Sequence, residues 1–374
     1  MKLLSTLFGA ALAGAAMSFS AASAASVYSI KPLEAAPGQT DAFALGINSS
    51  GQIVGYTVDA DGFSHGAMWN AVAGALTPLA NLSATNPISE AYRINNAGII
   101  VGKAHTDDNS VHATYWNASG AHDIGTLTGA GISFAEDVNE NGVIVGSSTA
   151  AHGQHAFTWT AGGGMVDNGS TLPTSNLGFA GWNAVNNAGQ LAGTAYVLLS
   201  PYKASKGQIG DTQPTIISPA GQFSTGMALA INEAGTIVGY QNGSTGNPHA
   251  AIFNGDGTFQ DLGHLGLGES WAEDINNNGL IVGRAFGDDG TGNFVQKAMF
   301  YENGQMYELL SQLQNPTGWS VLFQASGVND LGQIVGVGIY NDEIRTYVAT
   351  PVPEPTTFGL MLCGASALLA RRRK

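Results

Sequence analysis

Ala272-Glu-Asp-Ile-Asn-Asn-Asn-Gly-Leu-Ile-Val-Gly283 is the stretch from which the fold can be read. It holds an apolar residue, Asn276, two turn residues, Gly279, and an apolar run closed by Gly283, and this pattern returns along the whole chain. The asparagine stands at Asn48, Asn95, Asn139, Asn186, Asn232, Asn276 and Asn329, each with a glycine three positions on: Gly51, Gly98, Gly142, Gly189, Gly235, Gly279 and Gly332. Self-similarity at a period in the forties marks a solenoid or propeller rather than a string of ordinary domains. Asn at a turn entry bonds the backbone two residues on, and Gly takes φ > 0 without a Cβ clash, so each copy reads as a hairpin.

The apolar pairs Ile53-Val54, Ile100-Val101, Ile144-Val145, Ile237-Val238, Ile281-Val282 and Ile334-Val335 point to opposite faces of a strand, so both faces need a neighbour. Successive blades or stacked units supply such neighbours. Each unit gives four strands; in the third they are expected at Ser133–Asn139, Val143–Ser147, Gln154–Trp159 and Met165–Asp167. The fourth unit lacks the usual third-strand pattern, and a long loop is expected over Tyr196–Gln213. Val27–Leu33 alternates as one strand with no partner of its own, while the seventh unit ends at Arg345-Thr-Tyr-Val-Ala349, one strand short. In a closed ring the first strand completes the last blade and removes the free edges, which favours a ring over an open solenoid. The expected fold is all-β, a seven-bladed β-propeller closed by the N-terminal strand, over residues 25–350.

Composition agrees with many short strands and tight turns: 52 glycines in 374 residues, with only 11% charged residues. The single Cys363 lies near the C-terminus, so the body has no disulfide and no thiol chemistry. Lys2, an apolar run from Leu3 and Ala22-Ser-Ala24 form a cleavable secretory signal, residues 1–24. At the other end, Val352-Pro-Glu-Pro355 precedes an uncharged segment, 356–370, and the basic cluster Arg371-Arg-Arg-Lys374. That apolar segment reads as a short transmembrane helix held by cytoplasmic cations. Between leader and tail, 8 basic and 26 acidic residues remain, a net charge of −18. Such a body is repelled by nucleic acid and anionic lipid, and it tolerates divalent cations or neutral glycans.

Two resemblances follow from these residues. His65-Gly-Ala-Met-Trp69, His112-Ala-Thr-Tyr-Trp116, His155-Ala-Phe-Thr-Trp159, His249-Ala-Ala-Ile-Phe253 and, without His, Gln296-Lys-Ala-Met-Phe300, taken with the signature, resemble the HAF repeats of bacterial extracellular proteins over most of residues 41–350. The last residues, 351–374, resemble the PEP-CTERM sorting tail of Gram-negative bacteria. That likeness implies recognition of Pro353, Glu354 and Pro355 together with Arg371, Arg372 and Arg373 by a membrane exosortase. It also implies removal of the tail and transfer from a transient membrane anchor to the cell surface or extracellular matrix.

Candidate chemistry is sparse. His65, His112, His155 and His249 hold one repeat position, where side chains point around a ring and rarely converge on one metal. The acidic turns at Asp59–Gly62, Asp107-Asp108, Asn254–Gly257 and Asp288–Gly290 lack the spacing of a calcium loop with its closing Glu. No resident metal or cofactor is expected, with weak Ca²⁺ binding as a minor reading. Glu136-Asp137 and Glu273-Asp274 precede the repeat Asn in two units, where the others carry Leu45-Gly46, Tyr92-Arg93, Leu229-Ala230 and Ser326-Gly327. These four acids are the candidate ligand-binding residues; paired carboxylates also serve glycoside hydrolysis. No nucleophile elbow, Walker loop or His-Glu-x-x-His motif stands beside them, and no catalytic residue is assigned. Trp182, Tyr196, Tyr202 and Trp319 are candidates for stacking on sugar rings. The expected role is binding or structural, toward exopolysaccharide or other surface glycans, with a carbohydrate-active enzyme (hydrolase or lyase) as the alternative.

Overall fold

A computed structural model describes residues 25–353 apart from 36–37, 170–177, 198–199, 222–223 and 244–245. The leader, Glu354, Pro355, the apolar segment 356–370 and Arg371–Arg373 lie outside the described residues. Within them the chain forms seven four-stranded antiparallel blades and no α-helix. No described helix is long and apolar enough to cross a membrane. The inner strands are Gln39–Ile47, Ser89–Ile94, Ser133–Val138, Gly178–Val185, Gly226–Ile231, Gly268–Ile275 and Trp319–Val328, one per blade, numbered 1 to 7 here. Blade 7 takes its outer strand from the other end of the chain: Tyr28–Pro32 pairs antiparallel with Glu343–Pro351, from Tyr28 opposite Pro351 to Pro32 opposite Tyr347. Tyr28 is fully buried in that join.

Both faces of each blade are buried, as the adjacent apolar pairs require. The second member of each pair packs into the core shared with the following blade, and the first packs into the core shared with the preceding one. Val54 lies with Ile94, Ile100 and Trp116 between blades 1 and 2. Ile53 lies with Trp69, Val335 and Val348 between blades 1 and 7. Seven such interfaces are the hydrophobic core, ranging from a cluster with no buried aromatic between blades 5 and 6 to one with Tyr28, Phe300, Trp319 and Tyr347 between blades 6 and 7; no single centre exists.

The signature turns form a second, polar ring. Each repeat Asn accepts backbone N–H groups of its own turn, as Asn276 Oδ1 does from Asn278 and Leu280. Its amide then donates to the backbone carbonyl of the next blade's repeat Asn: Asn48 to Asn95, Asn95 to Asn139, Asn139 to Asn186, Asn186 to Asn232, Asn232 to Asn276, Asn276 to Asn329 and Asn329 back to Asn48. All seven bonds are buried, at 2.9 to 3.2 Å. The circuit is closed by the same residues that make the turns.

Two expectations are corrected. Residues 196–213 are not a long loop, since Ser200–Gln208 is the third strand of blade 4 and Thr215–Ile216 its fourth. The usual pattern is missing because an aromatic has moved. Four residues before the repeat Asn, six blades carry Ala44, Ala91, Ala135, Ala228, Ala272 and Ala325, and blade 4 carries Trp182. Opposite Ile53, Ile100 and Ile144 the third strands carry Trp69, Trp116 and Trp159, whereas opposite Leu191 blade 4 carries Gly207. The Trp182 ring fills that place: a Cβ on Gly207 would lie 2.7 Å from it. Trp182 and Trp319 are therefore core residues, 0% and 7% exposed, while Tyr202 is 44% exposed.

The second correction concerns blade 6. Register places Lys297 opposite Ala285 and Tyr301 opposite Ile281, so Lys297 and Tyr301, not Gln296 and Phe300, stand in the repeat positions. The repeat histidine position is then basic throughout: His65, His112, His155, Lys203, His249, Lys297 and Arg345. In four blades it pairs with an acid of the fourth strand, His112 with Asp123, His155 with Asp167, His249 with Asp261 and Lys297 with Glu308, at 2.7 to 3.0 Å. The three Asp partners also accept the N–H of Gly125, Gly169 or Gly263. The base straps the outer strand to the blade, and His65 instead holds Asp59 of the preceding hairpin.

Candidate functional site

Every inner strand carries a β-bulge at the residue three before the repeat Asn. Register jumps from Ala44 to Gly46, Ala91 to Arg93, Ala135 to Asp137, Trp182 to Ala184, Ala228 to Ala230, Ala272 to Asp274 and Ala325 to Gly327. An extra residue in one strand re-aims its side chain. The skipped residues Leu45, Tyr92, Glu136, Asn183, Leu229, Glu273 and Ser326, with Arg93 and Gln324, line one cavity of about 260 Å³ on the axis.

One residue nearer the turns than each bulged position stand Gly46, Arg93, Asp137, Ala184, Ala230, Asp274 and Gly327. Next comes a belt of β-branched aliphatics, Ile47, Ile94, Val138, Val185, Ile231, Ile275 and Val328. Beyond it a second cavity of about 160 Å³ opens on the turn face among Ser49, Asn96, Glu140, Glu233, Asn277 and Asp330. The two cavities share no lining residue. The first is a cup on the side of the ring away from the turns, and five of the aliphatic belt residues, Ile47, Ile94, Ile231, Ile275 and Val328, line the second.

On the side of the cup away from the turns, buried and half-buried aromatics stand toward its rim. Phe43 stacks on Tyr56 with ring centroids 5.0 Å apart, and Tyr240 on Trp271 at 4.7 Å. The Arg284 guanidinium lies 4.4 Å from the Trp271 ring, and Lys103 lies within 6.0 Å of the Tyr92 and Phe134 rings. Burial, followed by the nearby Tyr202, pushes the Tyr240 phenol up to about 12.

The structure separates the members of each predicted acid pair. Asp137 turns to the next blade and accepts the Val185 N–H at 2.9 Å; Asp274 does the same with Val328 N–H at 2.9 Å. These two are inter-blade clamps. Glu273 faces the cup and pairs with Arg284 at 3.1 Å, a contact whose atoms are not aligned as a hydrogen bond. Glu136 faces the cup with no hydrogen bond or ion pair among the described residues.

Burial pushes all four carboxyls above their ordinary values, Glu136 to about 7 and Asp137 to about 6. Arg93, anchored by Nη1 on the Leu45 carbonyl at 2.8 Å, opposes the rise in every case. The bulge carries this outcome: in a regular strand Glu136 and Asp137 would face opposite sides, and neither would be turned onto the axis.

A stability consequence follows. A carboxyl whose folded pKa lies above its unfolded value binds its proton more tightly in the folded state, so stability falls as pH rises between the two. For Glu136 that window runs from 4.5 to about 7. Unfolding at pH 5 and pH 7.5 should show the protein less stable at the higher pH, and Glu136→Gln should remove on the order of 2 kcal/mol of that difference. An unchanged pH slope would exclude Glu136 as its source.

The acidic turns are satisfied internally. Asp59 accepts from Asp61 and Phe63, Asp107 from Ser83, Asp256 from Thr258, Asp288 from Gly290, and Asp289 from Thr291. Among the described residues no group of three or more His, Cys, Asp or Glu is placed to hold a metal.

No protein-family model and no curated protein matches the chain. Among solved structures it is similar to an oligogalacturonate lyase in complex with manganese, at 10% identity over 88% of this chain and 97% of that one, TM-score 0.50. It is similar also to a puromycin hydrolase, at 12% identity over 85% and 56%, TM-score 0.51. A third likeness is to the Pyrococcus horikoshii acylaminoacyl peptidase, at 10% identity over 87% and 55%, TM-score 0.50. The chain spans about half the length of the latter two. At these identities the likeness is one of fold, and it agrees with the strand order: the chain is a seven-bladed β-propeller.

Proposed function

We propose that the protein is an exported binding propeller of a bacterial cell surface or exopolysaccharide matrix, and that it takes a glycan into the axial cup. The observation that carries this reading is the cup itself. It is a cavity on the axis with aromatic pairs toward its rim and, at Glu136, a carboxyl with no hydrogen bond or ion pair among the described residues. Sugar hydroxyls need such a polar partner, and their apolar ring faces suit aromatic walls. Two-carboxylate hydrolysis asks for an acid and a base or nucleophile. Here Asp137 and Asp274 are held by backbone N–H groups and Glu273 by Arg284, which favours binding over turnover. The enzyme reading keeps one supporting feature, the carboxyl of Glu136 near neutral pKa, which suits a general acid.

The placement of the chain ends fits surface attachment. Val352 N–H donates to the Val27 carbonyl at 2.8 Å, and Pro351 lies beside the signature turn at Gly332, so both ends leave on the turn face. A C-terminal anchor would hold that face toward the membrane and leave the aromatic rim open. The sorting tail supports export, exosortase cleavage and transient anchoring. Intact-mass measurement of surface-extracted protein should show loss of about the last 20 residues, the length of a sorting or spanning segment; a full-length C-terminus would count against it. A glycan array probed with and without calcium tests the binding role. Retention of surface glycans is expected, and a blank array would overturn it.

A further inference from the structure

We infer that the glycan site continues out of the cup along a stripe of aromatic rings on blade 6, and that its ligand is a chain of sugar rings lying on that stripe rather than one ring held in the cup. This rests on the glycan-binding reading and deepens it by assigning an outer subsite.

The stripe starts at the cup lining. Trp271 stands two residues before Glu273, which lines the cup, and the Arg284 guanidinium that pairs with Glu273 lies 4.4 Å from the Trp271 ring. From there the rings lead away from the axis. Trp271 meets Phe286 edge-on with centroids 5.5 Å apart, and Phe286 meets Phe294 at 6.3 Å. Each step moves one strand outward, from Gly268–Ile275 to Ile281–Asp288 to Phe294–Glu302. Tyr240 of blade 5, stacked on Trp271, fixes the inner end.

Exposure rises in the same direction: Trp271 and Phe286 are half-buried, and Phe294 is 73% exposed. A single exposed Phe on a protein surface needs no explanation, whereas one that ends a continuous line of rings from an axial cavity marks a contact surface. The hairpin that carries it is preset. Asp288 Oδ1 accepts the N–H groups of Gly290 and Gly292, and Asp289 Oδ1 accepts that of Thr291. A platform fixed before its ligand arrives loses little freedom on binding.

The neighbours of these rings point to the class of ligand. In register, Phe286 stands between Glu269 of the inner strand and Gln296 of the third, and Phe294 stands opposite Asp288. Directly opposed residues share a side of the sheet, so the apolar stripe is one ring wide and bordered by carboxyls and an amide. An amphipathic helix or a lipid surface needs a broader apolar face. A sugar ring has apolar C–H faces and a polar edge of hydroxyls that both donate and accept. A chain of such rings can lay its faces on Phe286 and Phe294 and its hydroxyls against the flanking side chains.

The test is calorimetry of the purified protein with linear gluco-, manno- and galacto-oligosaccharides, from the monosaccharide upward. Expected is an affinity that rises with chain length. Phe294→Ala should weaken binding of the longer oligomers by at least about five-fold, the size of one aromatic contact, and leave the shortest probe that binds unchanged. Phe63→Ala, which removes a 50%-exposed phenyl ring from blade 1, should bind every probe as the parent does. Thermal unfolding of each variant separates lost binding from lost fold. An affinity that does not grow with length, or long-oligomer binding that a folded Phe294→Ala keeps in full, overturns this inference and leaves the glycan-binding reading in place. Self-association of the parent that Phe294→Ala abolishes does the same, since the stripe would then be a contact between copies. No binding of any probe by the folded protein overturns both.

Discussion

Gly283→Ala should destabilise the propeller by more than about 4 kcal/mol, enough to prevent folding of a protein of ordinary stability. A Cβ at Gly283 would lie 2.0 Å from the Trp271 carbonyl oxygen, a backbone atom of the adjacent inner strand that cannot rotate away. The approach is not local to blade 6. The equivalent Cβ would lie 1.8 Å from Phe43 O at Gly55, 2.0 Å from Glu90 O at Gly102 and 1.9 Å from Phe134 O at Gly146. At Gly193, Gly239 and Gly336 it would lie 2.2, 1.9 and 1.9 Å from the matching carbonyls.

The cause is the bulge, which brings the carbonyl five residues before the repeat Asn under the glycine. Gly279, four residues earlier, is a useful contrast. It has φ +83° and nothing within 4 Å of a built Cβ, so Gly279→Ala meets only the left-handed strain of about 1–2 kcal/mol. Chemical unfolding of both variants checks the pair; equal effects would mean that the close approach is not what the closing glycine is for.

Trp182→Ala should cost about 3–5 kcal/mol, the usual loss for emptying a large buried aromatic site. Trp182 is fully buried and is among the largest side chains of the core between blades 3 and 4. Gly207→Trp alone should also be costly, because its Cβ already meets the Trp182 ring at 2.7 Å. The two changes together return blade 4 to the arrangement of blades 1 and 2, with a small residue on the inner strand and an indole on the third. There the indoles of Trp69 and Trp116 donate to the carbonyls of Glu34 and Ala80, each at 2.7 Å. The double variant should therefore be more stable than Trp182→Ala by at least about 1 kcal/mol, a non-additivity expected of residues sharing one cavity. A double variant no better than the sum of the singles would show that blade 4 has adapted in more places than this one.

Much of the fold was legible because it is written in short-range chemistry. Asn276 and Gly279 make a turn wherever they stand, and a pair such as Ile281-Val282 on one strand must be buried on two sides. The surplus strand at Val27–Leu33 and the deficit after Ala349 could be matched by counting. The site was legible only to its residue types. Glu136-Asp137 and Glu273-Asp274 could be picked out as exceeding the repeat, but not that each pair would be split between a cup and a clamp. Nothing in the sequence marks a bulge at that position, since Leu45, Tyr92, Asn183, Leu229 and Ser326 share no property with the two glutamates. The one trace is the invariant small residue on its N-terminal side in six copies, and Trp182 breaks even that.

The sequence by itself thus determined the unit, its seven-fold repetition and the strand order within a blade, because turns and strand faces are set within a few residues; strand counting favoured a closed ring, and the pairing of Tyr28–Pro32 with Glu343–Pro351 decided it. The tertiary structure alone decided what the unit's spare groups do. The Asn276 amide reaches Asn329 of the next blade, Asp274 reaches Val328, and Glu136 is left facing the axial cavity. The two contacts join residues 53 and 54 positions apart along the chain, where no local rule operates.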